Sequence, residues 1–190
     1  MTDTNSTIHI LGFAGSLRKK SQNRSLLRAA HDLLPPNASL ESYDLSPIPL
    51  YNGDVEATGF PEPVQQFRAK IATADAILIV TPEYNFSMPG VMKNAIDWAS
   101  RPPQQPFFGK PLGIMGIGGR GGTTRAQYHL RQTAVFLNMF PINKPEVIVS
   151  FTPDKFDSDV NLIDEATRKS IAELLAALVA WTIRLKTTQP

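Results

Sequence analysis

Ala76-Ile77-Leu78-Ile79-Val80, running directly into Thr81-Pro82-Glu83-Tyr84-Asn85-Phe86-Ser87-Met88-Pro89-Gly90, is the stretch that decides the fold. Five apolar residues in a row suit a parallel strand covered on both faces, whereas a strand with one wet face would alternate. The segment then turns polar, aromatic and proline-stiffened, which marks the end of the strand. Pro89 suits the first turn of a helix, and Val91, Met92, Ala95, Trp98 and Ala99 recur at the spacing of one helical face. Strand, loop and helix make one β-α unit.

The alternation extends in both directions. Upstream, Ile8 to Phe13 reads as a strand and Leu26, Leu27, Ala30, Leu33 and Leu34 as a helix. Leu40 to Leu45 is a weaker strand, and Val64, Phe67, Ile71 and Ala74 mark a second helix. Downstream come a strand at Leu112 to Ile117, a helix carrying Ala126, Leu130, Ala134 and Leu137, and a fifth strand at Val147 to Val149. A long last helix carries Ile171, Leu174, Leu175, Leu178, Trp181 and Leu185. Five such units predict an α/β three-layer sandwich, a five-stranded parallel sheet with helices on both faces. Of the doubly wound strand orders, 2-1-3-4-5 is expected, with a ligand crevice between strands one and three. A chain of 190 residues predicts a single domain over 1–190, with residues 1–6 as a flexible tail.

Composition narrows the chemistry. There is no cysteine, which excludes thiol nucleophiles, dithiol redox chemistry and thiolate metal sites. Nineteen Lys and Arg against seventeen Asp and Glu leave +2, too little for a polyanion-binding surface, so no nucleic acid is expected. No apolar run approaches the ~20 residues of a membrane span, and the polar N-terminus has no secretory pattern. A cytoplasmic protein is expected. His9, His31 and His129 are scattered over two helices and a strand, with no metal-binding spacing, and are expected to be structural.

Three loops fall on one edge of the expected sheet. The first, Gly15-Ser16-Leu17-Arg18-Lys19-Lys20-Ser21-Gln22-Asn23, enters a helix with hydroxyls, an amide and an Arg, and suits a phosphate at the helix N-terminus. Helix capping by Ser21 or Asn23 is the alternative. The second, Thr81 to Gly90, offers backbone N–H groups, flat rings and Glu83, an acid or base by type. The third, Gly116-Ile117-Gly118-Gly119-Arg120-Gly121-Gly122, contains G-x-G-x-x-G, but not on the first strand and without an acidic residue some 20 positions on. Its glycines are expected to let backbone approach a flat ligand. Together the loops point to a mononucleotide carrying an aromatic ring system.

Ser16-Leu17-Arg18-x-x-Ser21-x-Asn23 and Pro82-Glu83-Tyr84-Asn85-x-Ser87-x-Pro89-Gly90-x-x-Lys93-Asn94-Ala95-Ile96-Asp97-Trp98 resemble the NADPH-dependent FMN reductases of flavodoxin-like fold. Gln127 to Gln132 with Asn143-Lys144-Pro145-Glu146 is similar to their quinone/chromate-reductase branch. The resemblance implies that Ser16, Arg18, Ser21, Gln22 and Asn23 hold the FMN phosphate. Pro82, Glu83, Tyr84 and Asn85 would line the ring system, with Gly118, Gly119 and Arg120 at its other edge. It also implies NADPH or NADH as reductant and a quinone-like acceptor, with chromate, azo compounds or free flavin as alternatives. The expected cycle is ping-pong, with no catalytic side chain and no metal, because hydride chemistry belongs to the cofactors. An FMN electron carrier without NAD(P)H turnover is the competing expectation. Homodimers or homotetramers are implied, with Arg101, Tyr128 and Glu146 as polar contacts.

Overall fold

A computed structural model describes residues 7–187, so the tail expected at 1–6 lies outside the described residues. In chain order the elements are β1 (Ile8–Ala14), α1 (Gln22–Asp32), β2 (Ala38–Tyr43), α2 (Gly53–Thr58), α3 (Glu62–Thr73), β3 (Ala76–Val80), α4 (Gly90–Ala99), β4 (Pro111–Gly118), α5 (Thr124–Phe136), β5 (Phe140–Pro141), β6 (Val147–Ser150) and α6 (Glu165–Thr187). The strands run β2-β1-β3-β4-β5, with β6 also on β4, and every pair is parallel. This is the expected order on a flavodoxin-like sheet.

The pleat explains the unbroken apolar run of β3. Ala76, Leu78 and Val80 enter a core shared with α1 and α6, while Ile77 and Ile79 enter a second core with α3, α4 and α5. β1 divides in the same way, Ile8 and Ile10 to one side and Leu11 and Phe13 to the other. Period-two alternation therefore disappears from the sequence, because both faces are dry.

Two expectations need correction. The fifth position of the sheet is split: β5 pairs with Pro111 and Leu112 at the start of β4, and β6 with Met115 to Gly118 at its end. Pro141 and Pro145 lack the N–H groups that a continuous ladder would use. The second strand also begins and ends earlier than expected, at Ala38 and Tyr43, because Leu45 has left the sheet for the core beside Ile48. The loop from Arg101 to Phe108 is held by Arg68, whose guanidinium donates to the carbonyls of Ala99, Arg101 and Gln104 at 2.6, 2.7 and 3.0 Å. Among the described residues, no helix is long and apolar enough to cross a membrane.

Since all strands run the same way, the loops after β1, β3 and β4 emerge at one edge. β2 lies to one side of β1 and β3 to the other, so the reversal of direction falls between β1 and β3.

Candidate functional site

The loop after β1 is tightly seated. Gly15 N–H donates to the Val80 carbonyl at 2.9 Å, and a Cβ on Gly15 would lie 2.8 Å from the Pro89 ring, so the first two loops touch here. Ser16 is only 5% exposed, yet its hydroxyl has no hydrogen-bond partner among the described residues. Ser21 caps α1, its Oγ accepting from Arg24 N–H at 3.4 Å. The N–H groups of Gln22 and Asn23 open the helix, where no intrahelical acceptor exists, and no acid occupies the first turn. Arg18 is exposed at the rim. A hydroxyl without a protein partner, free helical N–H groups and nearby cations fit a phosphate.

Asn23 departs from its expected role. Its amide is buried and bridges to β4, donating to the Ile117 carbonyl at 2.9 Å and accepting from Ile117 N–H at 3.0 Å. The side chain is an anchor between α1 and β4, and what Asn23 presents at the helix end is its backbone N–H.

In the second loop, Tyr84 and Ser87 exchange backbone hydrogen bonds at 3.0 and 2.9 Å. The two residues between them, Asn85 and Phe86, have φ of 49° and 62°, the pattern of a type I′ turn. The turn presents Tyr84, Asn85 and Phe86 to solvent while Pro82 is buried beneath. Glu83 is neither a free acid nor a free base. One carboxylate oxygen accepts from the backbone N–H groups of Arg125 and Ala126 at 2.8 and 3.2 Å, and the other from the Arg125 guanidinium at 3.3 Å. Those N–H groups open α5, whose own cap residue, Thr123, makes no side-chain cap bond. Glu83 therefore caps α5 from across the crevice, and the Arg125 guanidinium also lies 3.9 Å from the Phe86 ring centre.

The third loop corrects the role given to its glycines. A Cβ on Gly116 would lie 2.0 Å from the Thr81 carbonyl oxygen, and one on Gly118 2.3 Å from that of Gly122. These two allow the chain to pass close to itself. Gly119 is different: nothing lies within 4 Å of its Cβ direction, so its open side is available to a flat ligand. Arg120 is exposed beside it, its carbonyl accepting from the Ser150 hydroxyl at 3.2 Å.

The three loops thus meet along one sheet edge, the loop after β1 packed on Pro89 and that after β3 bonded through Glu83 to the start of α5. The histidines take no part in it as free groups: His9 pairs with Glu41, His31 with Ser42 and His129 with Ser87. Of the expected interface residues, Tyr128 is exposed on α5, whereas Arg101 turns back onto the Asp97 carbonyl and Glu146 holds Lys144 at 2.7 Å.

Residues 8–154 match the family model described as NADPH-dependent FMN reductase. The chain belongs to this family. It is 56% identical over 180 residues to an NAD(P)H-dependent FMN reductase of Pseudomonas aeruginosa, covering 94% of this chain and 97% of that one. It is 47% identical over 185 residues to an NADPH:quinone oxidoreductase of Arabidopsis thaliana, covering 94% of each. Among solved structures, the flavoenzyme NAD(P)H:(acceptor) oxidoreductase of Paracoccus denitrificans superposes with a TM-score of 0.85 at 32% identity, over 93% of this chain and 98% of that one. This reductase therefore uses FMN as cofactor and NAD(P)H as electron donor.

Two features of the crevice were not legible as functional in the sequence. The cap that Glu83 places on α5 spans 42 positions, and nothing local signals it. Arg24 lies three residues past the Ser21 cap and has no side-chain partner among the described residues. The five basic residues, with no acid among them, between Arg18 and Arg28 were its one available signal.

Proposed function

We propose that this FMN reductase delivers two electrons from NAD(P)H to quinone-like acceptors, reductant and acceptor using the same face of the crevice in turn. The observation that carries the proposal is the commitment of Glu83. It is the sole acidic residue in the three loops, and its carboxylate is spent on capping α5. The loops thus supply hydrogen-bond donors, aromatic edges and open backbone, and leave the chemistry to a bound group. FMN, when bound, supplies two-electron redox chemistry.

The chain's own part is to hold and orient. Ser16, the N–H groups of Gln22 and Asn23, and Arg18 receive the phosphate. Pro82 to Asn85 form the ledge beneath the ring, and Gly119 with Arg120 bounds its far edge. Quinones are favoured as acceptors by the relatives named for them, the Arabidopsis enzyme and, at 40% identity, a quinone reductase of Escherichia coli. Chromate, azo compounds and free flavin belong in the same acceptor panel. A homodimer or homotetramer belongs to this proposal too: Tyr128, Val135 and Phe136 leave an exposed apolar strip on α5, and a monomeric mass in light scattering would oppose it.

Steady-state kinetics with NAD(P)H and a benzoquinone test the proposal. Parallel double-reciprocal lines are expected, and intersecting lines would overturn alternate use of one face. Arg18→Ala should weaken FMN binding about tenfold or more, the worth of one charge-assisted hydrogen bond. An unchanged dissociation constant would remove Arg18 from the cradle.

A further inference from the structure

A strained turn sits in the second loop. Asn85 and Phe86 both lie in the left-handed region, at φ of 49° and 62°. Asn visits that region readily, whereas a bulky residue such as Phe seldom does. A type I′ turn favours Gly at its second central position, where Phe86 stands. For a residue with a Cβ the bias against this conformation is a factor of about ten.

The turn does little to answer that bias by itself. β3 ends at Val80 and α4 begins at Gly90, so the bridge between Tyr84 and Ser87 stands isolated. Even a full two-stranded hairpin is marginal alone. What holds the turn comes from α5, where Arg125 and His129, at i and i+4, share one helical face. The Arg125 guanidinium lies over the Phe86 ring, and His129 Nδ1 is hydrogen-bonded to the Ser87 hydroxyl at 2.8 Å. Glu83 is fixed to the first turn of the same helix. The helix therefore grips this segment before, at and after its strained residue. Backbone strain that the surroundings over-determine in this way is a mark of ligand clamps.

We infer that this face of α5 is a clasp that holds the turn in its flavin-ready form, with His129 as a positioning residue acting through Ser87. The inference rests on the seating of the flavin ring on Pro82 to Asn85 proposed above. Tyr84 and Asn85 belong to the turn, so its conformation sets where their side chains stand beneath that ring. Arg125 serves both the α5 cap and the Phe86 ring, whereas the His129 bond serves the turn. The effect is one of population: an apparent dissociation constant rises as the competent fraction of the protein falls. Clasped, the turn is held in one form; unclasped, the bias against the Phe86 conformation leaves about a tenth of it. In exchange the loop keeps a ring, 65% exposed, where the favoured glycine would have none.

Titration of the apoprotein with FMN, followed by quenching of flavin fluorescence, tests the inference without turnover. His129→Ala should raise the dissociation constant about tenfold, and His129→Asn, whose amide stands where Nδ1 does, should restore most of the affinity. Phe86→Gly removes the strain, so adding His129→Ala to it should cost about twofold or less. Amide hydrogen exchange at Tyr84 and Ser87 in the apoprotein reads the turn without the flavin, and His129→Ala should speed it about tenfold. An equal loss of FMN affinity in both backgrounds overturns the clasp and makes the bond an ordinary structural tie, and so does exchange that His129→Ala leaves unchanged. Faster exchange with an unchanged FMN constant instead overturns the seating of the ring on Pro82 to Asn85, and the inference with it.

Discussion

Replacing Glu83 separates a structural cap from a catalytic acid or base. Its side chain is 11% exposed and joins two loops through the backbone N–H groups of Arg125 and Ala126 at 2.8 and 3.2 Å. Losing a helix cap costs about 0.5–2 kcal/mol, and losing a carboxylate from a helix N-terminus about 0.3–1 kcal/mol more. The ion pair with Arg125, whose side chain is half exposed, adds about 0–1 kcal/mol. Glu83→Ala should therefore destabilise the apoprotein by about 2–3 kcal/mol, and Glu83→Gln, which keeps an acceptor oxygen, by about 1 kcal/mol. With a urea slope of about 2 kcal/mol/M, the unfolding midpoint falls by about 1 M and about 0.5 M respectively. Arg125→Ala removes the guanidinium and its contact with Phe86 but keeps the capped N–H, so it should cost only about 0.5–1 kcal/mol. A cost that falls from Glu83→Ala through Glu83→Gln to Arg125→Ala is the signature of a backbone cap. Saturated with FMN, Glu83→Gln should retain its kcat. An unchanged midpoint together with a kcat a hundredfold lower would refute the cap and restore Glu83 as an acid or base.

Asn23→Ala strands a buried N–H and a buried carbonyl on Ile117, which should cost about 2–4 kcal/mol in urea unfolding; a loss below about 1 kcal/mol would contradict the anchor. The pH dependence of stability should show Asp75: burial alone would raise its carboxyl, but the Lys186 ammonium, the His9 N–H and nearby Lys110 outweigh it and hold it below the usual range. A depressed folded value means that its contribution is present above the unfolded value of about 4 and is lost as pH falls through the folded one. The stability gap between wild type and Asp75→Asn should thus narrow from pH 5 towards pH 2, and a constant gap would refute the assignment.

Where local chemistry sufficed, the fold and the site were legible in the sequence. The β3 run announces burial on both faces, and the residues on the helical faces of α1, α3, α4 and α6 lie in or against the two cores, except Trp181 and Leu185 towards the end of α6, which are only half-buried. Helix α2 escaped because none of its residues is buried, so it carries no apolar period. Its signal was the cap instead, Asn52 accepting from Asp54 N–H at 2.9 Å. The split of the fifth strand escaped because β5 is two residues long, one of them proline, too short for any pattern to register.

The two polar residues whose roles changed, Asn23 and Glu83, changed for one physical reason. β3 pairs with β4 only as far as Val80 opposite Met115, while β4 continues to Gly118. Beyond that point the β3-facing side of β4 has no strand, and the N–H and carbonyl of Ile117 would be left without partners inside the protein, a cost that folded chains avoid. Asn23 supplies the missing donor and acceptor together. The N-terminus of α5 lacks a cap from Thr123, and Glu83 supplies that one from the neighbouring loop. The early end of β3 is also what opens the crevice, so the gap that admits a ligand creates the unpaired backbone these side chains repair. A polar residue beside such a crevice has two claimants, the ligand and the exposed backbone. Residue type and spacing, identical for both, do not choose between them; the partner's position across the chain, 94 residues away for Asn23 and 42 for Glu83, does.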